Sequence, residues 1–186
     1  MKKVSSIFLT VACIAAATIM GACEDGFKEF SNKYPVAFNN QVTASQQLAI
    51  TMGNPGQYCT IQRRNINGVT KILMTSFKNS DSYVINETQK FFNYGLGGLI
   101  VGTNFEETNV AYDLACPNCD RSSKLLTVTS DGYATCKHCK LVYDMNRYGV
   151  ISSADTTSQK VNTDTSLRGL YRYRIGYNGV IVNVFN

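Results

Sequence analysis

Hydrophobic and polar positions alternate along this chain in short runs with a period of two, and turn residues separate the runs. "YPVAF", "QYCTIQR", "VTKILMTSF", "GGLIV", "NVAYDLA", "KLLTVT", "KLVYDM", "LYRYRI" and "GVIVNVF" each read as a strand rich in β-branched and aromatic residues. From Leu170 to Ile175, Arg172 and Arg174 fall on one face, and Tyr171, Tyr173 and Ile175 on the other. Asn67-Gly68, Asn178-Gly179, "NPG" at Asn54 and "SDG" at Ser130 supply turns. Only "VTASQQLAITMG" predicts a helix, of a turn or two. The pattern predicts an all-β fold without a repeat of fixed period. Residues 152–166, "SSADTTSQKVNTDTS", are polar and of low complexity and read as a mobile surface loop.

The first residues depart from this pattern. "MKK" is followed by the apolar run "VSSIFLTVACIAAATIM" and the small-residue exit "GAC", the layout of a signal peptide. "GAC" resembles the lipobox of bacterial lipoproteins, with Met20 where Leu is commoner; ordinary cleavage near Ala22 is the alternative. The resemblance implies a signal peptide over 1–22, lipidation of Cys23 and a membrane anchor at the mature N-terminus. Acyl chains contribute about 0.8 kcal/mol per buried methylene to such an anchor. "CEDG" resembles the export signal of surface lipoproteins of the Bacteroidetes. These resemblances imply an outer-membrane lipoprotein, on the surface or the periplasmic face. Residues 23–33 then form a polar tether and 34–186 one domain. Asp155-Thr156-Thr157 resembles the O-glycosylation motif of exported proteins in the same group.

Removing the first 22 of 186 residues leaves 164, enough for one domain with a substantial core. The formal charge of +5 falls to +3 when Lys2 and Lys3 are lost, and no run of five or more Lys/Arg exists. A nucleic-acid partner is therefore not expected. No second apolar segment is long enough to span a bilayer.

Four of the seven cysteines form a set. Cys13 lies in the signal peptide, Cys23 is the lipid site, and Cys59 reads as a small buried hydrophobe. Cys116, Cys119, Cys136 and Cys139 follow the pattern C-x2-C-x16-C-x2-C, the spacing of a zinc ribbon. Each Cys-x-x-Cys turn can aim two sulfurs at one ion, and two such knuckles at neighbouring hairpin tips close a tetrahedron. The residues between them suffice for two short strands, "KLLTVT" and "GYAT", joined at "SDG". The metal-binding subdomain is expected over about 114–146. Arg121, Lys124, Lys137 and Lys140 would either favour thiolates or form a solvated face.

"YDLACPNC", "CKHCKLVYD" and "LRGLYRYRIGYNGVIVNV" together resemble a Rieske domain. The resemblance covers about the last seventy residues and implies a β-sandwich with the two-knuckle subdomain inserted. Cys116-Pro117 matches the first Cys-Pro of that family, Cys136 the second Cys and Tyr143-Asp144 the aromatic-Asp pair. Leu170 to Val184 match the closing strands. Upstream, "YGLGGLIVG" and "VAYDLACP" are similar to Rieske-like lipoproteins of the Bacteroidetes. The departures are chemical. A Rieske [2Fe–2S] cluster takes two His, but Asn118 and Cys139 stand at those positions, and Lys140 replaces the following Gly. His138, the only histidine, occupies neither.

Three readings of the four thiols follow. The first is structural zinc in a closed four-Cys site, with a non-catalytic binding or structural role. The second is an electron carrier with iron, mononuclear or as a four-Cys [2Fe–2S] cluster. Against it, Asp120 and Lys140 stand where rubredoxin-type knuckles have Gly. The third is a metal-free, disulfide-stapled envelope protein, with bridges such as Cys116–Cys136. His138 reads as an exposed turn residue. The chain offers no catalytic set: Glu106-Glu107 diverge as neighbours, and "GLGG" lacks nucleotide-loop spacing and reads as close backbone packing. Any protein or redox partner would meet the domain in the envelope.

Overall fold

The computed structural model describes residues 30–77, 79–152 and 169–186. The expected signal peptide, Cys13, Cys23, most of the expected tether, Asp155 and nearly all of the 152–166 segment lie outside these residues. The described chain forms thirteen strands and one short α-helix, so the all-β class expected from the sequence is observed. Among the described residues no helix is long and apolar enough to cross a membrane.

Nine strands build one curled antiparallel sheet. These are β1 (Val36–Gln41), β2 (Gln57–Ile66), β3 (Val69–Ser76), β4 (Ser80–Val84), β5 (Asn93–Tyr94), β6 (Leu99–Thr103), β7 (Asn109–Asp113), β12 (Arg172–Tyr177) and β13 (Ile181–Phe185). Their order is β4-β3-β2-β6-β7-β12-β13-β1-β5. Register follows turn chemistry. Ile66 pairs with Val69, and the two residues between them, Asn67 and Gly68, both take positive φ (55° and 79°), as a tight hairpin of this hand requires. A second sheet, in the order β11-β10-β9-β8, comprises β8 (Leu126–Val128), β9 (Tyr133–Cys136), β10 (Val142–Asp144) and β11 (Val150–Ile151).

The one helix, α1 (Gln46–Gly53), lies within the stretch the sequence marked as helical. Ser45 caps it, its Oγ accepting from Leu48 N at 3.2 Å and donating to Asp81 of β4 at 2.9 Å. Asp81 also accepts from Gln47 N, so a carboxylate sits at the positive end of the helix.

The alternation divides the interior into two clusters. One fills the curl of the large sheet and includes Phe38, Leu48, Cys59, Ile61, Ile72, Met74, Val101 and Tyr173. The other lies beneath the small sheet and includes Ile100, Tyr112, Leu141, Tyr143, Met145, Cys116 and Cys136. Cys59 is fully buried, as the sequence suggested, and burial pushes its thiol up to about 12. In β12 and the residue before it, Tyr171 and Tyr173 point inward while Arg174 is exposed.

Candidate metal centre

Both knuckles grow from strand ends. The first, Cys116 to Cys119, leaves the end of β7 and returns to β8; Cys116 N donates to Lys124 O at 2.9 Å. The second, Cys136 to Cys139, is the tip of the β9–β10 hairpin; Cys136 N donates to Leu141 O at 2.9 Å. The two turns share one backbone plan. In each, the carbonyl of the leading Cys accepts from the residue four positions on, Asp120 N or Lys140 N, both at 2.9 Å. That residue is left-handed in each case, with φ of 52° at Asp120 and 64° at Lys140. Glycine is thus missing from these positions but the glycine-type turn is made anyway, so Asp120 and Lys140 do not exclude a rubredoxin-type knuckle.

The four sulfurs converge. All four Sγ atoms lie within 4.8 Å of one another. Two contacts cross between knuckles, Cys116 to Cys139 at 3.6 Å and Cys119 to Cys136 at 3.7 Å. A tetrahedron with metal–sulfur bonds of about 2.3 Å has edges of about 3.8 Å, so these two edges fit one ion. A two-iron, two-sulfide core must fit between its ligand pairs and needs them further apart. The five described cysteines are all free thiols. The cross-knuckle contacts are far longer than the ~2.05 Å of a disulfide, and they are not the Cys116–Cys136 pairing of the disulfide reading.

The leading cysteine of each knuckle is buried and the second half-buried. Burial pushes the Cys116 thiol up to about 11, against a hydrogen bond from Tyr143. It also raises Cys119, with the nearby sulfurs adding to the shift. At Cys136 burial works upward too, but the N–H groups of Cys139 and His138 outweigh it and bring the thiol below its ordinary value. Four crowded sulfurs resist sharing negative charge, and a bound cation would relieve that repulsion while displacing protons. Arg121, Lys137 and Lys140 are exposed and Lys124 half-buried, so these cations form a solvated face around the site.

Several neighbours escape a reading of spacing alone. Tyr143, fully buried, brings its Oη to 3.4 Å from Cys116 Sγ. Burial, followed by the adjacent Cys116, raises its pKa, so it stays a donor to the sulfur. His138 is exposed, as expected of a turn residue, yet its Nδ1 lies 3.5 Å from Cys119 Sγ.

The first knuckle is clamped by a carboxylate on either side. Upstream, Asp113 is fully buried at the end of β7. Its Oδ1 accepts from Gly97 N at 3.0 Å and Ala115 N at 2.7 Å. Its Oδ2 accepts from Leu96 N at 2.6 Å and Tyr173 Oη at 2.7 Å. Burial raises the Asp113 pKa, and these four donors oppose the rise. The "GLGG" segment therefore wraps a carboxylate of its own chain. A Cβ at Gly95 would collide with that carboxylate, which explains the close backbone packing read from the sequence. Downstream, Asp120 pairs with Lys33 and accepts from Tyr34 Oη and Tyr171 Oη, each at 2.7 Å. Lys33 first, then Tyr171, holds its carboxyl down at about 2. Tyr171 and Tyr173, two residues apart, thus grip the carboxylates that bracket "CPNC".

A scan against family models, a search of curated proteins and a search of solved structures each return no match for this chain.

Proposed function

We propose that this protein is a cell-envelope lipoprotein whose Rieske-like domain uses Cys116, Cys119, Cys136 and Cys139 to hold one structural zinc ion. The carrying observation is the convergence of the four Sγ atoms within 4.8 Å on two knuckles of the same backbone plan. Four thiolates around zinc leave no open position for water or substrate, so the metal's contribution is folding energy. The burial of the two leading cysteines beneath the small sheet supports that role. The lipoprotein, Rieske-like and Bacteroidetes parts of this reading rest on the sequence resemblances alone. So do the outer-membrane location and the Cys23 anchor.

One observation favours a second reading. In the second knuckle the N–H groups of His138 and Cys139 are aimed at Cys136, an arrangement equally suited to a single iron that carries electrons. The sulfur separations favour a mononuclear ion over a [2Fe–2S] cluster under either reading. Elemental analysis and a visible spectrum of the purified mature chain separate the two. Zinc at one per chain with no colour supports the proposal. Iron with charge-transfer absorption supports the electron carrier.

A further inference from the structure

The two ends of the curled sheet leave a cleft whose lining shares no residue with the four-cysteine site. β4 is the free edge at one end. At the other, β5 pairs only with Val36 and Ala37, so Asn39–Gln41 of β1 pair with β13 on one side and with no strand on the other. Between them opens a cleft of about 500 Å³, closed at one end by the turn around Asn86–Phe92. None of its lining residues belongs to the cluster beneath the small sheet.

The chemistry of the lining is uniform. No Asp, Glu, Lys or Arg contributes to it. Asn40 Nδ2 donates to Tyr83 Oη at 2.5 Å, joining β1 to β4 across the floor. Asn86 and Gln89 are locked together: Gln89 N donates to Asn86 Oδ1 at 2.9 Å, and Asn86 N donates to Gln89 Oε1 at 3.0 Å. With its oxygen engaged by backbone, Asn86 keeps its amide nitrogen as a donor, whereas the buried Gln89 spends its side chain on Asn86 N and Tyr83 Oη. Gln41 is exposed on the rim and its amide has no partner among the described residues. Phe92 and Tyr83 add half-buried aromatic surface that rests on the main core.

We infer that this cleft binds an uncharged saccharide. Asn86 keeps a donor, Asn40 an acceptor and Gln41 both, with no net charge, which matches neighbouring hydroxyls. An anion would enter with no countercharge, and an apolar ligand would strip water from the amides without replacing it. Aromatic surface beside amides suits the two characters of a sugar ring, apolar C–H faces and a polar rim. The volume lies within the usual range for small-molecule sites, about 300–1,000 Å³, and holds one or two sugar rings. A smaller cleft elsewhere, of about 240 Å³, is lined by Arg63 and Arg64 and is the place an anion would choose. Because the saccharide cleft shares no residue with the cysteine site, this inference stands or falls separately from the zinc proposal.

Amide NMR of the purified mature chain tests it. The probes are glucose, galactose, mannose, N-acetylglucosamine, maltose, cellobiose and lactose, with glucuronate, inorganic phosphate and an acetylated Thr-Val-Thr-Val peptide as counter-probes. At about 20 mM, at least one neutral sugar should shift the side-chain amide signals of Gln41, Asn86 and Gln89. Gln41→Ala, which removes an exposed side chain and leaves the core intact, should weaken that sugar about fivefold. Phe92→Leu should weaken it further with the Gln41 signal unmoved in the free protein. Four results overturn the inference. These are no shift at the cleft with any sugar, shifts unaffected by Gln41→Ala, tighter binding of glucuronate or phosphate than of every neutral sugar, or a response to the peptide alone. The last would assign the cleft to strand addition.

Discussion

Lys140 and Asp120 occupy the same backbone position in the two knuckles and pay for it differently. Both are left-handed. Lys140 is exposed and receives nothing visible in return, so Lys140→Gly should raise stability by about 0.5–1 kcal/mol, read as a higher melting temperature. Asp120→Gly relieves the same strain but removes the bonds to Lys33, Tyr34 and Tyr171. Those bonds are half-exposed, and the net effect should be a loss of about 1 kcal/mol. The two substitutions are chemically parallel, so opposite signs in thermal melts check the clamp directly. The clamp also has a pH signature. The folded-state pKa of Asp120, about 2, lies below its unfolded value of about 3.9. Its contribution is therefore fully present above the unfolded pKa and is lost as pH falls towards 2. The stability difference between the native chain and Asp120→Asn should be constant from pH 7 to pH 5 and shrink steadily below pH 4 in denaturant titrations.

Among the elements, the segment joining β5 to β6 depends on one buried side chain. Asp113 satisfies two N–H groups of "GLGG", that of Ala115 just before the first knuckle and the hydroxyl of Tyr173. In Asp113→Asn an amide N–H₂ must face donors, leaving buried groups unpaired at a cost of about 3 kcal/mol, measured by denaturant unfolding. The strands themselves were largely legible. All nine apolar runs overlap observed strands, because each has a buried face or two and turn residues at its ends. β4, "SDSYV", was not legible: it is a polar edge strand whose side chains are nowhere fully buried, so it carries little hydrophobic signal. The two-residue strands β5 and β11 are too short to leave a pattern. At the site, spacing alone identified the four cysteines. The carboxylate clamps were invisible, because Lys33 and Asp120 are 87 positions apart and Tyr173 and Asp113 are 60 apart. Such pairs become neighbours only through the order of strands β7, β12, β13 and β1.

For the whole molecule, the two hydrophobic clusters predict a divided dependence on metal. The cysteine site belongs to the cluster under the small sheet, whereas β2, β3 and α1 close over the other. Chelation should therefore speed amide hydrogen exchange across 116–146 while leaving 57–76 protected, seen by mass spectrometry of peptides from the two regions. Uniform deprotection would show that the metal holds the whole domain. Metal content tests most directly whether the four sulfurs that meet at one point hold zinc. Elemental analysis of the purified chain, paired with a Cys116→Ser, Cys119→Ser, Cys136→Ser, Cys139→Ser variant, should give about one zinc per native chain, none in the variant and no visible absorption. Iron with a visible spectrum, or zinc that persists in the variant, would contradict the zinc site.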